Sequence, residues 1–396
     1  MPYYRRVGDL PRKRHVAHHG PDGSRRAEEL MGEEGFAGAS SLLYHRHSPS
    51  ALVRIDCLDD AHADWERPSF APNHPLIPHH LRTDRLEPQA AGSEPVTGRV
   101  HLLGNDGVRL AAARGSDPSP LYRNAEGDEL VFVQRGAADL ESVFGVLVVS
   151  GGDYVVVPRG TTHRWVPATE VELLVIESTG HVGIPPRYLT SLGQLREGAP
   201  FSERDLRGPV DEPLLVDGED VPVLVRTRHG VSVQTHAHHP FDVVGWDGYV
   251  YPWAFRISDF EPIVGLLHQP PPVHQTFAGP GFVVCSFVPR PYDFHPHAIK
   301  VPYHHANVDS DEVLFYSDGD FMSRAGSGVG VGSITLHPAG FVHGPQPGSV
   351  EASREASATS ETAVMIDTFS PLGLTTAAGS ISDRRYLDSW RSPDQR

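Results

Sequence analysis

His305, Glu312 and His343 lie in the stretch from Val301 to Pro345 at a spacing suited to metal binding. Six residues separate His305 from Glu312. His343 follows Glu312 by 31 positions, in the run Pro338-x-Gly340-x-x-His343. Two imidazoles and one carboxylate on adjacent strands form a facial ligand set for a divalent cation. That set points to iron(II) and leaves positions open for a substrate and dioxygen. His304 adjoins His305, and on a regular strand the two face opposite ways, so the sequence leaves open which one is the ligand. His337, six residues before His343, is a candidate for the same cavity as a substrate contact.

Such ligands need short strands that turn their side chains inward. The block 121–179 supplies a set: Leu130–Gln134, Val143–Val149, Tyr154–Val157 and Val171–Glu177, with turns at Gly136, Gly151-Gly152 and Pro158-Arg159-Gly160. Strands at this spacing read as an antiparallel barrel or jelly roll. The block 301–369 repeats the plan. Glu129 and Glu312 are each followed seven residues on by glycine (Gly136, Gly319), and each is preceded by an asparagine five residues back (Asn124, Asn307). Gly152-x5-Pro158-x-Gly160-x-x-His163 matches Gly332-x5-Pro338-x-Gly340-x-x-His343. These coincidences define an internal duplication. In the first copy Tyr122 stands where the second has His305, which leaves Glu129 and His163 and predicts a structural repeat without a metal.

The chain is therefore expected to divide into an arm with accessory strands (1–115), a degenerate first core (116–185), connecting and second-barrel entry strands (186–295), a second core with the iron site (296–375) and a tail (376–396). A helical turn is expected at Arg26–Met31 and a last helix near Asp383–Trp390. The 396 residues, with 36 prolines and 39 glycines spread along the chain, suit many short strands joined by turns. A net charge of −16 argues against a nucleic-acid partner. Cys57 and Cys285, far apart, make no disulfide framework, and a cytoplasmic location follows as the expectation. No apolar run reaches the roughly 18 residues of a membrane span, and the basic N-terminus is not followed by a signal-like apolar run.

Several strings resemble one family. Pro240-Phe-Asp-Val-Val-Gly-Trp246 with Gly248-x-x-x-Pro252, Phe282-Val-Val-x-x-Phe-Val-Pro-Arg290, Leu336-His337 with His343-Gly-Pro345, and Glu29-Leu-Met-Gly-x3-Phe36 with Leu43-Tyr-x-Arg46 are similar to stretches of the homogentisate 1,2-dioxygenases and occur in the same order. The resemblance implies an all-β-dominated bicupin, two jelly-roll-like barrels in tandem with a few short helices. It implies cleavage of the homogentisate ring by dioxygen to maleylacetoacetate, with Fe(II) held by His305, Glu312 and His343. It implies a histidine base three residues before a proline, met by His268 and Pro271, with His274 as the second candidate. It also implies a homo-oligomer, a trimer or hexamer. The chain departs from the pattern in two places. The His-to-Glu spacing is one residue longer, and Phe321 replaces a tyrosine expected to contact substrate. Those departures keep two other readings in view: a dioxygenase for gentisate or a substituted phenylacetate, and a bicupin that binds metal without catalysis.

Overall fold

The computed structural model describes residues 3–58, 65, 67–86 and 94–391. Parts of the expected arm and the end of the tail, 392–396, lie outside the described residues. Strands dominate, joined by turns and by helical segments of a few residues. No helix among the described residues is long and apolar enough to cross a membrane.

The first barrel faces a nine-stranded sheet against a seven-stranded one. Glu129–Arg135, Asp153–Val157, Val171–Ser178 and Val108–Gly115 form the centre of the larger sheet. Ala137–Ser142, His163–Pro167, Tyr122–Asn124 and Val221–Thr227 form the centre of the smaller one. The second barrel is built on a six-stranded sheet in the order Gln275–Gly279, Phe282–Phe287, Thr362–Thr368, Asp311–Asp318, Ser333–His337, His79–Arg82. Outside that sheet His305 and His343 are joined by an antiparallel bridge.

The duplication holds residue by residue. Glu129 pairs across its strands with Val157 and Glu177, and Glu312 with His337 and Asp367. His163 pairs with Tyr122 as His343 does with His305. Asp128 accepts bonds from the backbone N–H of Arg159 and Val182, and Asp311 accepts them from Ala339 and Leu372, the equivalent positions. Gly136 and Gly319 both have positive φ, and a Cβ on either would lie within 2.2 Å of a carbonyl oxygen, Glu170's or Ser360's. Only glycine turns the chain there without strain. The equivalent strands meet across the molecule: Phe132 packs edge-on to Phe315 at 6.1 Å, and Ser317 Oγ donates to Gln134 Oε1 at 2.7 Å.

Three expectations need correction. Val221–Thr227, Gly230–His236 and Trp253–Arg256 join the first barrel, while Gln275–Gly279 and Phe282–Phe287 enter the second. The stretch 186–295 is thus shared between the barrels. Arg26–Met31 is not helical: Ala27–Gly32 is a strand on Ser40–His45, because pairing outweighs the helix propensity of Ala, Glu, Leu and Met. Val143 and Phe144 form a turn, and the strand begins at Gly145. The last helix is present as one 3-10 segment, Tyr386–Trp390.

The interiors differ. Val131, Val133, Leu140, Val155 and Trp165 fill the first barrel. In the second, a small cluster of Cys285, Leu314, Tyr316, Phe321 and Met365 leaves a cavity of about 340 Å³.

Candidate metal centre

Alternation along Asp311–Asp318 sends Val313 and Phe315 into the shared core and Glu312, Leu314 and Tyr316 toward the cavity. His305 and His343 exchange both backbone hydrogen bonds, at 2.8 and 2.9 Å, which sets their rings side by side with centroids 4.3 Å apart. One ligand atom from each of His305, Glu312 and His343 lies within 4.8 Å of the others. His304 is exposed and sits against Gly344, so the bridge selects His305.

The hydrogen bonds fix the tautomers. His305 Nδ1 donates to the Tyr303 carbonyl at 3.1 Å, and His343 Nδ1 to the Phe341 carbonyl at 3.0 Å. In the neutral rings both Nε2 atoms then carry lone pairs. Those atoms face Glu312, at 3.5 Å from Oε2 and 3.1 Å from Oε1. Three acceptors turned toward one point repel each other unless a cation, a proton or a metal, lies between them. The donor set of two imidazole nitrogens and a carboxylate fits a borderline divalent ion such as iron(II). Burial pushes the Glu312 carboxyl upward, but the imidazoles of His305, His337 and His343 outweigh it and hold the group well below its usual range.

His337 is fully buried and stands behind Glu312, outside the residues that line the cavity. Its Nδ1–H donates to Glu312 Oε1 at 2.9 Å, and its Nε2 accepts from the Tyr386 hydroxyl at 2.9 Å. Desolvation brings its pKa down to about 3, so the ring stays neutral and this donor–acceptor chain is fixed. The expected substrate contact is thus placed as a support for the carboxylate. Phe321 also misses the cavity: it packs edge-on to Tyr316 at 5.0 Å, at the foot of the short helix Met322–Arg324. His343 presents its Nε2 to Glu312 and does not line the cavity wall.

Both candidate bases line the cavity. His268 is half exposed, and its Nδ1 donates to Asp293 at 2.8 Å. Its ring stands 5.4 Å from Tyr303, which in turn is 6.2 Å from His305. His274 is buried against Phe287, with centroids 4.8 Å apart. Desolvation lowers its pKa to about 3, helped by Arg290.

The first barrel meets its buried carboxylate differently. Arg99 donates two bonds to Glu129, at 2.9 and 2.8 Å, and a third to Glu177 at 3.1 Å. The Tyr122 hydroxyl adds a bond to Glu129 at 2.7 Å, and Asn124 adds one at 3.1 Å. Arg226 and His101 complete the shell of Glu177. His163 donates Nδ1–H to the Thr161 carbonyl, as His343 does to Phe341. The carboxylate is thus met by the guanidinium and the imidazole by buried backbone, so the two residues equivalent to Glu312 and His343 take separate partners. Arg99 lies 30 positions before Glu129, and no spacing rule connects them.

Tandem barrels with one facial His-Glu-His set define a double cupin with a candidate metal site in its second half. The family model described as "Homogentisate 1,2-dioxygenase N-terminal" matches residues 43–257. A Saccharolobus solfataricus protein named "putative dioxygenase" is 39% identical over 98% of this chain and 99% of its own. The homogentisate 1,2-dioxygenase of Emericella nidulans is 27% identical over 63% of this chain and 57% of its own length, and that of Bradyrhizobium diazoefficiens 25% over 69% and 63%. The chain thus aligns with less than two thirds of those two relatives. A cupin 2 conserved barrel protein from Leptotrichia buccalis superposes with a TM-score of 0.36 at 10% identity, covering 74% of this chain and 97% of its own. The chain belongs to the homogentisate 1,2-dioxygenase family.

Proposed function

We propose that this protein is an iron(II)-dependent, extradiol-type dioxygenase that opens the aromatic ring of homogentisate to give maleylacetoacetate, in the breakdown of tyrosine and phenylalanine. One observation carries the reading: two imidazoles with committed Nδ1 protons and a carboxylate converge beside an aromatic-walled cavity in the second barrel, while the first barrel is filled. His305 Nε2, Glu312 and His343 Nε2 would hold the iron. When bound, iron(II) supplies a Lewis acid with open positions for a phenolate oxygen and dioxygen.

The chain's own residues do the rest. His268 donates an Nδ1–H hydrogen bond to Asp293, so Nε2 is free to take the phenolic proton, and its half-exposed ring can pass that proton to water. His274, held near pKa 3, stays neutral and does not retain a proton. Phe287, Leu314 and Met365 line the cavity with apolar surface, which limits water at the ring. His337 and Tyr386 keep Glu312 oriented. A cytoplasmic homo-oligomer, a trimer or hexamer, belongs to the same reading. The position of Phe321 outside the cavity favours one alternative, a related dihydroxy arene such as gentisate or a substituted phenylacetate.

The test is dioxygen uptake by protein reconstituted anaerobically with iron(II), using homogentisate, gentisate and substituted phenylacetates, with the ring-opened product followed by ultraviolet absorbance. His343→Ala is expected to lose iron and turnover together. Full iron and full turnover in that variant, or no uptake with any of these arenes, refutes the assignment.

A further inference from the structure

The cavity holds three cationic side chains, and they are not equivalent. Arg324 is committed: its Nε donates to the Tyr316 hydroxyl at 3.1 Å, one terminal nitrogen donates to the Gly344 carbonyl at 2.7 Å, and Trp390 lies under its guanidinium. Lys300 Nζ donates to the Asp293 carbonyl at 3.3 Å. Arg290 is the least satisfied. One terminal nitrogen donates to the Val288 carbonyl at 3.1 Å, and the guanidinium lies over Phe287 at 5.5 Å. No carboxylate among the described residues forms an ion pair with it. A guanidinium carries five N–H donors in a fork matched to a carboxylate, and Arg290 lines the cavity with a bond to Val288 as its one side-chain hydrogen bond among the described residues.

The surroundings sharpen the point. Desolvation disfavours the charge on Arg290, and Glu361 opposes that effect from a distance. Burial raises the Glu361 carboxyl against the pull of Arg290 and Arg324. A desolvated cation with no partner is costly, and an incoming anion relieves that cost. Phe287 packs on both Arg290 and His274, which fixes the guanidinium against the wall.

We propose that Arg290 is the anchor for an anionic substituent on the aromatic ring, and so the residue that selects carboxylate-bearing arenes over uncharged ones. The contact is a charge-assisted bond to carboxylate oxygens, with the ring then directed along the cavity toward His305 and Glu312. This deepens the ring-cleavage reading and rests on it for the substrate class, but its test does not require turnover. Arg290 touches no reacting atom; it is a specificity residue.

The experiment is calorimetric binding to metal-free protein. The probes are benzoate, phenylacetate and 3-phenylpropionate, with phenylacetamide as the uncharged control. Arg290→Gln is expected to weaken the best carboxylate by at least about tenfold, the equivalent of ~1.4 kcal/mol, and to leave phenylacetamide unchanged. Arg290→Lys, which keeps the charge and loses the fork, is expected to fall between. Equal weakening of phenylacetate and phenylacetamide would mean a structural role and overturn the proposal, as would unchanged carboxylate binding in Arg290→Gln. Failure of ring cleavage with every arene would sink the catalytic reading while leaving this binding result intact.

Discussion

Replacing Arg99 by leucine removes the cation that two buried carboxylates of the first barrel share. Arg99 and Glu129 each have side chains 1% exposed. Breaking a buried ion pair by removing one partner costs about 3–5 kcal/mol, because the other charge is left uncompensated. The shell decides where the cost falls. Glu177 keeps Arg226 and His101. Glu129 keeps only the neutral donors Tyr122 and Asn124. Burial pushes the Glu129 carboxyl upward, and Arg99 at present outweighs it and holds the group below its usual value. Without Arg99 burial and the neighbouring Glu177 push the carboxyl upward, with only Tyr122, Asn124 and His163 left to oppose them.

The expected loss is therefore about 3–4 kcal/mol near neutral pH, measured by urea unfolding. The sign with pH is fixed. In the parent, the depressed Glu129 contributes stability above the ordinary glutamate value of 4.5, and that contribution is lost as pH falls through its folded value. The variant lacks it, so the gap between the two proteins should close below about pH 4.5. Arg99→Leu combined with Glu129→Leu should recover most of the loss, since the uncompensated charge is gone. Iron content should not change, because the ligand set lies in the other barrel. A loss under about 1 kcal/mol, the range of an exposed pair, would refute the reasoning, and so would a double variant less stable than Arg99→Leu alone.

Three further predictions concern other parts of the molecule. His337→Asn should weaken iron binding about 10- to 100-fold in a chelator competition, as loss of a group that orients a ligand does; a raised KM with unchanged iron affinity would restore His337 to the substrate wall. Gly344→Ala should deplete iron, because a Cβ there would lie 2.6 Å from His304 Nδ1 and 2.8 Å from its Cα, forcing the His305–His343 bridge apart; full iron content would show that the bridge tolerates the shift. His45 lies between Asp242 and Glu29, at 2.6 and 2.9 Å, and although burial opposes the charge these carboxylates raise its pKa to about 9. Its stabilisation is full below the ordinary value of 6.5 and is lost as pH rises through about 9, so unfolding free energy should fall by roughly 3 kcal/mol more in the parent than in His45→Gln over that window; parallel pH curves would exclude the contribution.

The sequence showed most of the site because the duplication repeats fixed intervals. The Asn-to-Glu, Glu-to-Gly and Pro-x-Gly-x-x-His spacings survive as strand registers, so equivalent letters occupy equivalent places. What lay off those intervals stayed hidden. The Asp128 and Asp311 clasps repeat just as faithfully, but an aspartate beside a glutamate carries no signal of its own. Every residue of Ser333–His337 is buried, so alternation could not say which face His337 takes. Register could: His337 pairs directly with Glu312. Phe321 follows the end of its strand, where chain periodicity no longer fixes direction.

Both barrels place a glutamate where water is scarce, and both must supply a cation to it. The first supplies one covalently, as Arg99 and its neighbour Arg226. A tethered guanidinium needs no open position, and the interior around it can be packed with Trp165 and valines. The second supplies lone pairs instead of a charge, by exchanging Tyr122's counterpart for His305 and directing both Nδ1 protons to carbonyls. An interior that accepts its cation from outside must keep a route to it, and the cavity beside Glu312 provides that space. The difference between a filled barrel and a hollow one thus follows from how each meets the same buried negative charge.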